Sequence, residues 1–156
     1  MSSSEQKPLQ NASGENTPKG AATQKKILVV DDDPVTRKVL TVALTRQGYA
    51  VFSARDGAEA IGVVRDDVPD MMLVDVNLEP AAGFDGAAIW DGFQVTRWLR
   101  HVTARKIPAI LMSATDKPEY RRYTAKIGAE SFMAKPISNA DLLQSIEARL
   151  AAHAPA

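Results

Sequence analysis

The chain has no cysteine among its 156 residues, which excludes disulfides and thiolate metal sites. No run approaches the roughly 18 apolar residues of a membrane span. The N-terminus lacks the apolar core of a signal peptide, and its acidic residues and want of arginine do not suit a transit peptide. Neither sign of charge is in excess: 19 basic and 19 acidic residues cancel, and no basic block exceeds a pair such as Lys25-Lys26. That argues against a nucleic-acid surface. A soluble cytoplasmic protein is the expectation. The length suffices for one domain with a sizeable core.

Residues Met1 to Gln24 are rich in Ser, Gln, Asn, Thr, Gly, Ala and Lys, with Leu9 the only large aliphatic after Met1. Such a segment cannot bury enough surface to offset its ordering, so residues 1–25 are expected to form a disordered tail. From Lys26 the pattern alternates. Ile27 to Val30 or Asp31 reads as a strand buried on both faces. Asp33 and Pro34 suit the N-cap and first position of a helix that runs to about Gln47, with Val35, Val39, Val42 and Ala43 on one face and Gly48 stopping it. Tyr49 to Ser53 is a second strand. Asp56 and Glu59 open a second helix that buries Ala60, Ile61 and Val64. Asp70 to Asp75 contains the third strand. Asp91-Gly92 opens a helix with Val95, Trp98, Leu99 and Val102 at helical spacing. Ile107 to Met112, ending at Ser113, is strand four. Asp116 and Pro118 start helix four, which ends at Gly128. Ser131 to Ala134 is strand five. Ser138 and Asp141 begin helix five, with Leu142, Leu143, Ile146 and Leu150 toward the core and residues 153–156 frayed.

Strict βα alternation implies an α/β, doubly wound parallel sheet with helices on both faces. In the strand order 2-1-3-4-5, strands one and three flank the switch point, and ligands bind beyond the carboxyl ends of the strands. Those ends carry Asp31 and Asp32, Asp75, Ser113 and Lys135. Three carboxylates crowded together repel one another and call for a cation. Oxygen ligands alone suit a hard ion such as Mg²⁺. A carboxylate can also be a nucleophile that forms an aspartyl-phosphate. A phosphoryl group in transfer needs positive charge and hydrogen-bond donors on its oxygens, which Mg²⁺, Lys135 and Ser113 would supply.

Val30-Asp31-Asp32, Leu73-Val74-Asp75, Asp91-Gly92, Met112-Ser113-Ala114 and Lys135-Pro136, in that order, resemble the receiver domain of bacterial two-component response regulators, single-domain type. The resemblance spans residues 26–152 as one receiver domain of flavodoxin-like (βα)5 fold. It implies Asp75 as phosphoacceptor and Asp31, Asp32, Asp75 and the backbone carbonyl of Asn77 as holders of Mg²⁺. It implies Ser113 and Lys135 as partners of the phosphoryl group, and Ser113 with Phe132 as the switch pair. Asn77 and Thr115 match positions that tune dephosphorylation, and the Lys135–Pro136 bond is expected to be cis. The implied partners are a sensor histidine kinase or histidine phosphotransfer protein. A downstream protein would meet the face of helix four, strand five and helix five, where Tyr120, Tyr123 and Lys126 are candidate contacts. A homodimer is also foreseen, with neither nucleic acid nor membrane as partner. The protein would not be an enzyme beyond its own phosphorylation and dephosphorylation.

The chain departs from the family between Asp75 and Asp91, where fifteen residues, Val76 to Trp90, stand in place of a shorter link. Asp85-Gly86 could be the matching pair, but it would bury Asp91-Gly92 inside helix three, where glycine costs ~1 kcal/mol against alanine. The extra segment, with Pro80, Gly83, Phe84, Ile89 and Trp90, is expected to be a self-packed surface loop, the alternative being a lid or partner surface. Two other functions fit part of the pattern. Asp31-Asp32-Asp33 resembles the Asp-x-Asp of haloacid-dehalogenase-type phosphatases, with Asp31 as nucleophile and Asp33 as acid/base, but then Asp75 has no role. A phosphate-independent interaction module would not need the full acidic set. Helix five is followed by few residues, so output is expected through phosphorelay or a phosphorylation-dependent protein contact.

Overall fold

The computed structural model describes residues 23–79 and 91–154. Most of the expected tail, most of the expected inserted loop and the last two residues lie outside them. The elements are β1 (Lys26–Val30), α1 (Pro34–Arg46), β2 (Ala50–Ala54), α2 (Gly57–Asp66), β3 (Met71–Asp75), α3 (Gly92–Val102), β4 (Ala109–Ser113), α4 (Pro118–Lys126), β5 (Ser131–Ala134) and α5 (Asn139–Ala152). The strands pair in parallel in the order β2-β1-β3-β4-β5, as the alternation implied.

The apolar run of β1 is buried throughout because helices cover both faces of the sheet. Alternate residues point opposite ways. Ile27 and Val29 pack with Leu40 and Leu44 of α1 and Leu142 and Ile146 of α5. Leu28 and Val30 pack with Ala60 and Val64 of α2 and Val95 and Leu99 of α3. β3 and β4 are buried along their whole length, so the strands whose ends carry Asp31, Asp75 and Ser113 run through the middle of the core.

The capping residues act largely as the sequence suggested. Asp33 accepts from the amides of Val35 and Thr36, and Asp56 from Glu59. Ser138 caps α5 through the Asp141 amide. Gly48 and Gly128, with φ of 92° and 73°, follow α1 and α4 in the left-handed region that β-carbons disfavour.

Five local expectations need correction. The face of α1 that meets the sheet is Leu40 and Leu44, whereas Val35, Val39 and Val42 are 67%, 57% and 41% exposed. Both rows have helical spacing, and the longer leucines are the ones that reach the core. Val102, the last residue of α3, is likewise exposed. β2 starts one residue late, because the Tyr49 amide still bonds to Leu44 of the preceding helix. β4 begins at Ala109, after Pro108, which has no amide to give the ladder. Finally, Asp116 does not cap α4: the N-cap position is Lys117, without a side-chain cap, and the Asp116 carboxylate is taken by Arg121.

Asp91-Gly92, rather than Asp85-Gly86, opens α3. Asp91 accepts from the Gln94 amide at 2.9 Å, and the Gly92 amide bonds to Val76 O at 2.9 Å. A β-carbon on Gly92 would lie 2.0 Å from Asp75 O and 2.8 Å from Val76 Cα, both backbone atoms that cannot swing aside. Only glycine lets α3 approach the end of β3 this closely. Gly92→Ala should therefore cost about 3 kcal/mol in urea unfolding, the upper range for overpacking. A loss below ~1 kcal/mol would show that the approach is not rigid.

Candidate functional site

The parallel ladder extends one residue past three strands. The Asp31 amide bonds to Ala54 O at 3.1 Å, Val76 to Met112 O at 2.8 Å, and Lys135 to Ser113 O at 2.7 Å. The chain at the ends of β1, β3, β4 and β5 is thus held level, and the side chains there meet in one crevice. Asp31, Asp32 and Asp75 each offer a carboxylate oxygen, and these oxygens lie within 4.8 Å of one another. Asp31 is fully buried, Asp75 is 6% exposed and Ser113 is fully buried.

Among the described residues, one ammonium bonds to the carboxylates of this acidic set. Lys135 Nζ donates to Asp31 Oδ2 at 2.6 Å and to Asp75 Oδ2 at 2.9 Å. The other carboxylate oxygens are used locally: Asp31 Oδ1 accepts from the Asp33 amide and Asp75 Oδ1 from the Asn77 amide, each at 2.9 Å. Burial raises the Asp31 carboxyl above its ordinary value, although the hydrogen bond from Lys135 and the Asp33 amide pull it down; the charge of Asp75 adds to the rise. Burial pulls the Lys135 ammonium down, but its hydrogen bonds and charge interactions with Asp31 and Asp75 outweigh that and leave it above the ordinary lysine value. Among the described residues only the Lys135 ammonium bonds to these carboxylates, which leaves three negative charges incompletely compensated. The donors of the crevice are all hard oxygens, so the residues fit a hard divalent ion.

The hydroxyl of Ser113 joins the site through Asn77, whose side-chain amide donates to Ser113 Oγ at 2.8 Å, while the Thr115 amide donates to the same oxygen at 3.0 Å. Lys135 and Ser113 are neighbours through the backbone, not through their side chains. The Phe132 ring lies 6.2 Å from that of Tyr120. The Lys135–Pro136 bond is cis, as the resemblance implied.

Some contacts escaped the sequence reading. The Asn77 position drew attention for its carbonyl and as a tuning position, yet it is the side-chain amide that touches Ser113. Arg37 Nη1 donates to Asp31 O at 2.6 Å, one helical turn into α1; its spacing from the acidic run was the available signal. Asp33, the acid/base of the phosphatase alternative, is engaged at the head of α1 by Thr36 Oγ1 at 2.6 Å and by two backbone amides. Asp56, by contrast, is a helix cap away from the cluster.

Comparison with known proteins agrees with this geometry. The residue pattern of the response regulator receiver domain matches residues 27–147. The chain is 30% identical to protein PilH of Pseudomonas aeruginosa, over 81% of this chain and 98% of that protein. It is similar to the solved chemotaxis response regulator CheY4 of Vibrio cholerae, with 26% identity, a TM-score of 0.69, and coverage of 82% of this chain and 99% of that one. A CheY-like receiver domain protein from Methanospirillum hungatei shares the fold, with 21% identity, a TM-score of 0.73, and coverage of 84% and 97%.

The shared ammonium generates a stability prediction. Lys135→Met leaves Asp31 and Asp75 buried without their counter-charge, and breaking such a pair costs on the order of 3 kcal/mol. With a chelator present, the variant should lose about that much at neutral pH. Asp31, already raised by burial, should rise further without Lys135. Below that raised value the folded variant binds a proton that the unfolded chain does not yet bind, so the deficit should shrink as the pH falls toward the ordinary aspartate value. Denaturant titrations of both proteins across this range check it; a deficit that stays constant with pH would contradict the charge account.

Proposed function

The chain belongs to the response regulator receiver domain family, and from that premise we propose that it takes a phosphoryl group onto Asp75 from a histidine kinase or histidine phosphotransfer protein and signals by relay or by a phosphorylation-dependent protein contact. The receiver unit is taken as residues 26–152. The observation that carries the reading is the meeting of three carboxylates within 4.8 Å, two of them sharing the Lys135 ammonium.

In this reading an Asp75 carboxylate oxygen attacks the phosphorus of a phosphohistidine. The P–N bond breaks, the imidazole leaves with the bonding pair and takes up a proton, and an acyl phosphate remains on Asp75. Asp31, Asp32, Asp75 and the Asn77 carbonyl would hold Mg²⁺, which supplies positive charge to the phosphoryl oxygens when bound. Lys135 keeps its hold on Asp31 and turns its second hydrogen bond from Asp75 to a phosphoryl oxygen. Ser113 has a hydroxyl proton to donate once it moves toward the new acceptors. Its movement draws the Ser113-Ala114-Thr115 loop, and the space left behind favours an inward turn of Phe132. Asn77 and Thr115 flank the approach of water and set the phosphoryl lifetime by position, neither being a strong general base. A change at the face of α4, β5 and α5 is then what a downstream protein, or a second copy of the chain, reads.

Two experiments test this. Incubation with a small acyl-phosphate donor and Mg²⁺ should add one phosphoryl group by intact mass to the parent and none to Asp75→Asn. In the same preparations Asp32→Asn should weaken Mg²⁺ binding about tenfold or more, since it removes a charged ligand, whereas Asp56→Asn should leave it unchanged. Persistent labelling of Asp75→Asn, or equal effects of the two aspartate changes on Mg²⁺, contradicts the assignment. Separately, Ser113→Ala should still accept phosphate while losing the conformational response to it, read as the shift of α4 and β5 amide signals by NMR on adding a phosphoryl mimic. A response as large as the parent's removes Ser113 from the switch.

A further inference from the structure

Phe132 lies on β5, at the edge of the sheet, and its ring is only partly buried. The guanidinium carbon of Arg121 stands 5.1 Å from the centroid of that ring, within the range of a cation–π contact. Arg121 is itself oriented. Its Nε donates to Asp116 Oδ1 at 3.1 Å and its Nη2 to Asp116 Oδ2 at 3.0 Å, a two-point fork that fixes the plane of the guanidinium. Asp116 does not cap α4, so its carboxylate is given over to this contact. It also lies three residues after Ser113, on the far end of the loop that Ser113 begins.

We propose that Arg121, oriented by Asp116, is a positioning residue that holds the Phe132 ring in its resting place, and that displacement of the Ser113–Asp116 loop on phosphorylation of Asp75 releases the ring by carrying Asp116 away. The release step rests on the function proposed above; the restraint itself does not. Arg121 is on the surface, so the fork adds little to global stability. Its value is differential. The guanidinium contacts the ring where it now stands, and an inward ring forfeits that contact. A contact made in one state only shifts the balance toward that state. The route from loop to ring therefore has two parts in this chain: space vacated behind Ser113, and a surface clasp that the same loop opens.

The test uses the full chain with Mg²⁺ and beryllium trifluoride as phosphoryl mimic. Phe132 ring signals are followed by NMR, and mimic affinity is measured by titration. Arg121→Gln should move the ring signals of the unliganded protein part of the way toward their mimic-bound positions. It should tighten the mimic about threefold, the scale of an exposed cation–π contact. Asp116→Asn should do the same more weakly, and Arg121→Lys, a cation without the fork, should fall between parent and Arg121→Gln. In a Phe132→Leu background Arg121→Gln should leave mimic affinity unchanged. Unmoved ring signals in Arg121→Gln, or an equal tightening in the Phe132→Leu background, overturns the proposal. If the ring moves in unliganded Arg121→Gln but the parent's ring ignores the mimic, the restraint stands and the switch described under the proposed function falls.

Discussion

The ammonium of Lys135 lies between two carboxylates that the fold has taken out of water, and much of the arrangement follows from that contact. Asp31 and Asp75 sit at the ends of β1 and β3, adjacent interior strands, where neighbouring strands and flanking helices exclude solvent. Two anions so placed cannot be left alone. Lys135 comes from the edge strand by way of a ladder bond to Ser113, so the same backbone that aligns the lysine also aligns the serine. The site is compensated yet still short of positive charge. That is a suitable resting condition for the divalent cation and the anionic group that the proposed function would bring there together.

Much of this could be read from residue order because each signal was local and several agreed. Apolar runs ending in Asp, Ser or Lys mark the carboxyl ends of parallel strands, and a parallel sheet puts all such ends on one side. Asp33-Pro34, Asp56 with Glu59, and Ser138 with Asp141 mark helix starts by capping chemistry that acts within four residues. Gly92 was legible as a helix start but not as a steric necessity, since the carbonyl it touches is seventeen positions back in the chain.

What could not be read depends on which of two equivalent patterns the tertiary structure selects. On α1 the row of Val35, Val39 and Val42 competes with Leu40 and Leu44, and periodicity cannot say which faces the sheet. The result is an apolar stripe on the outside of α1. Asp116 had the credentials of a cap, and its use by Arg121 depends on how α4 turns over β5. Asn77 was noticed for its backbone, and its amide reaches Ser113 only because β3 and β4 are neighbours.

The claim on which the account turns is that Asp75, and neither of the two carboxylates on the neighbouring strand end, becomes the acyl phosphate. Borohydride reduction of the phosphorylated parent converts an aspartyl-phosphate to homoserine, and peptide sequencing by mass spectrometry locates it. Homoserine is expected at position 75 alone. Homoserine at position 31 or 32, or none in a protein that has gained phosphoryl mass, would contradict it.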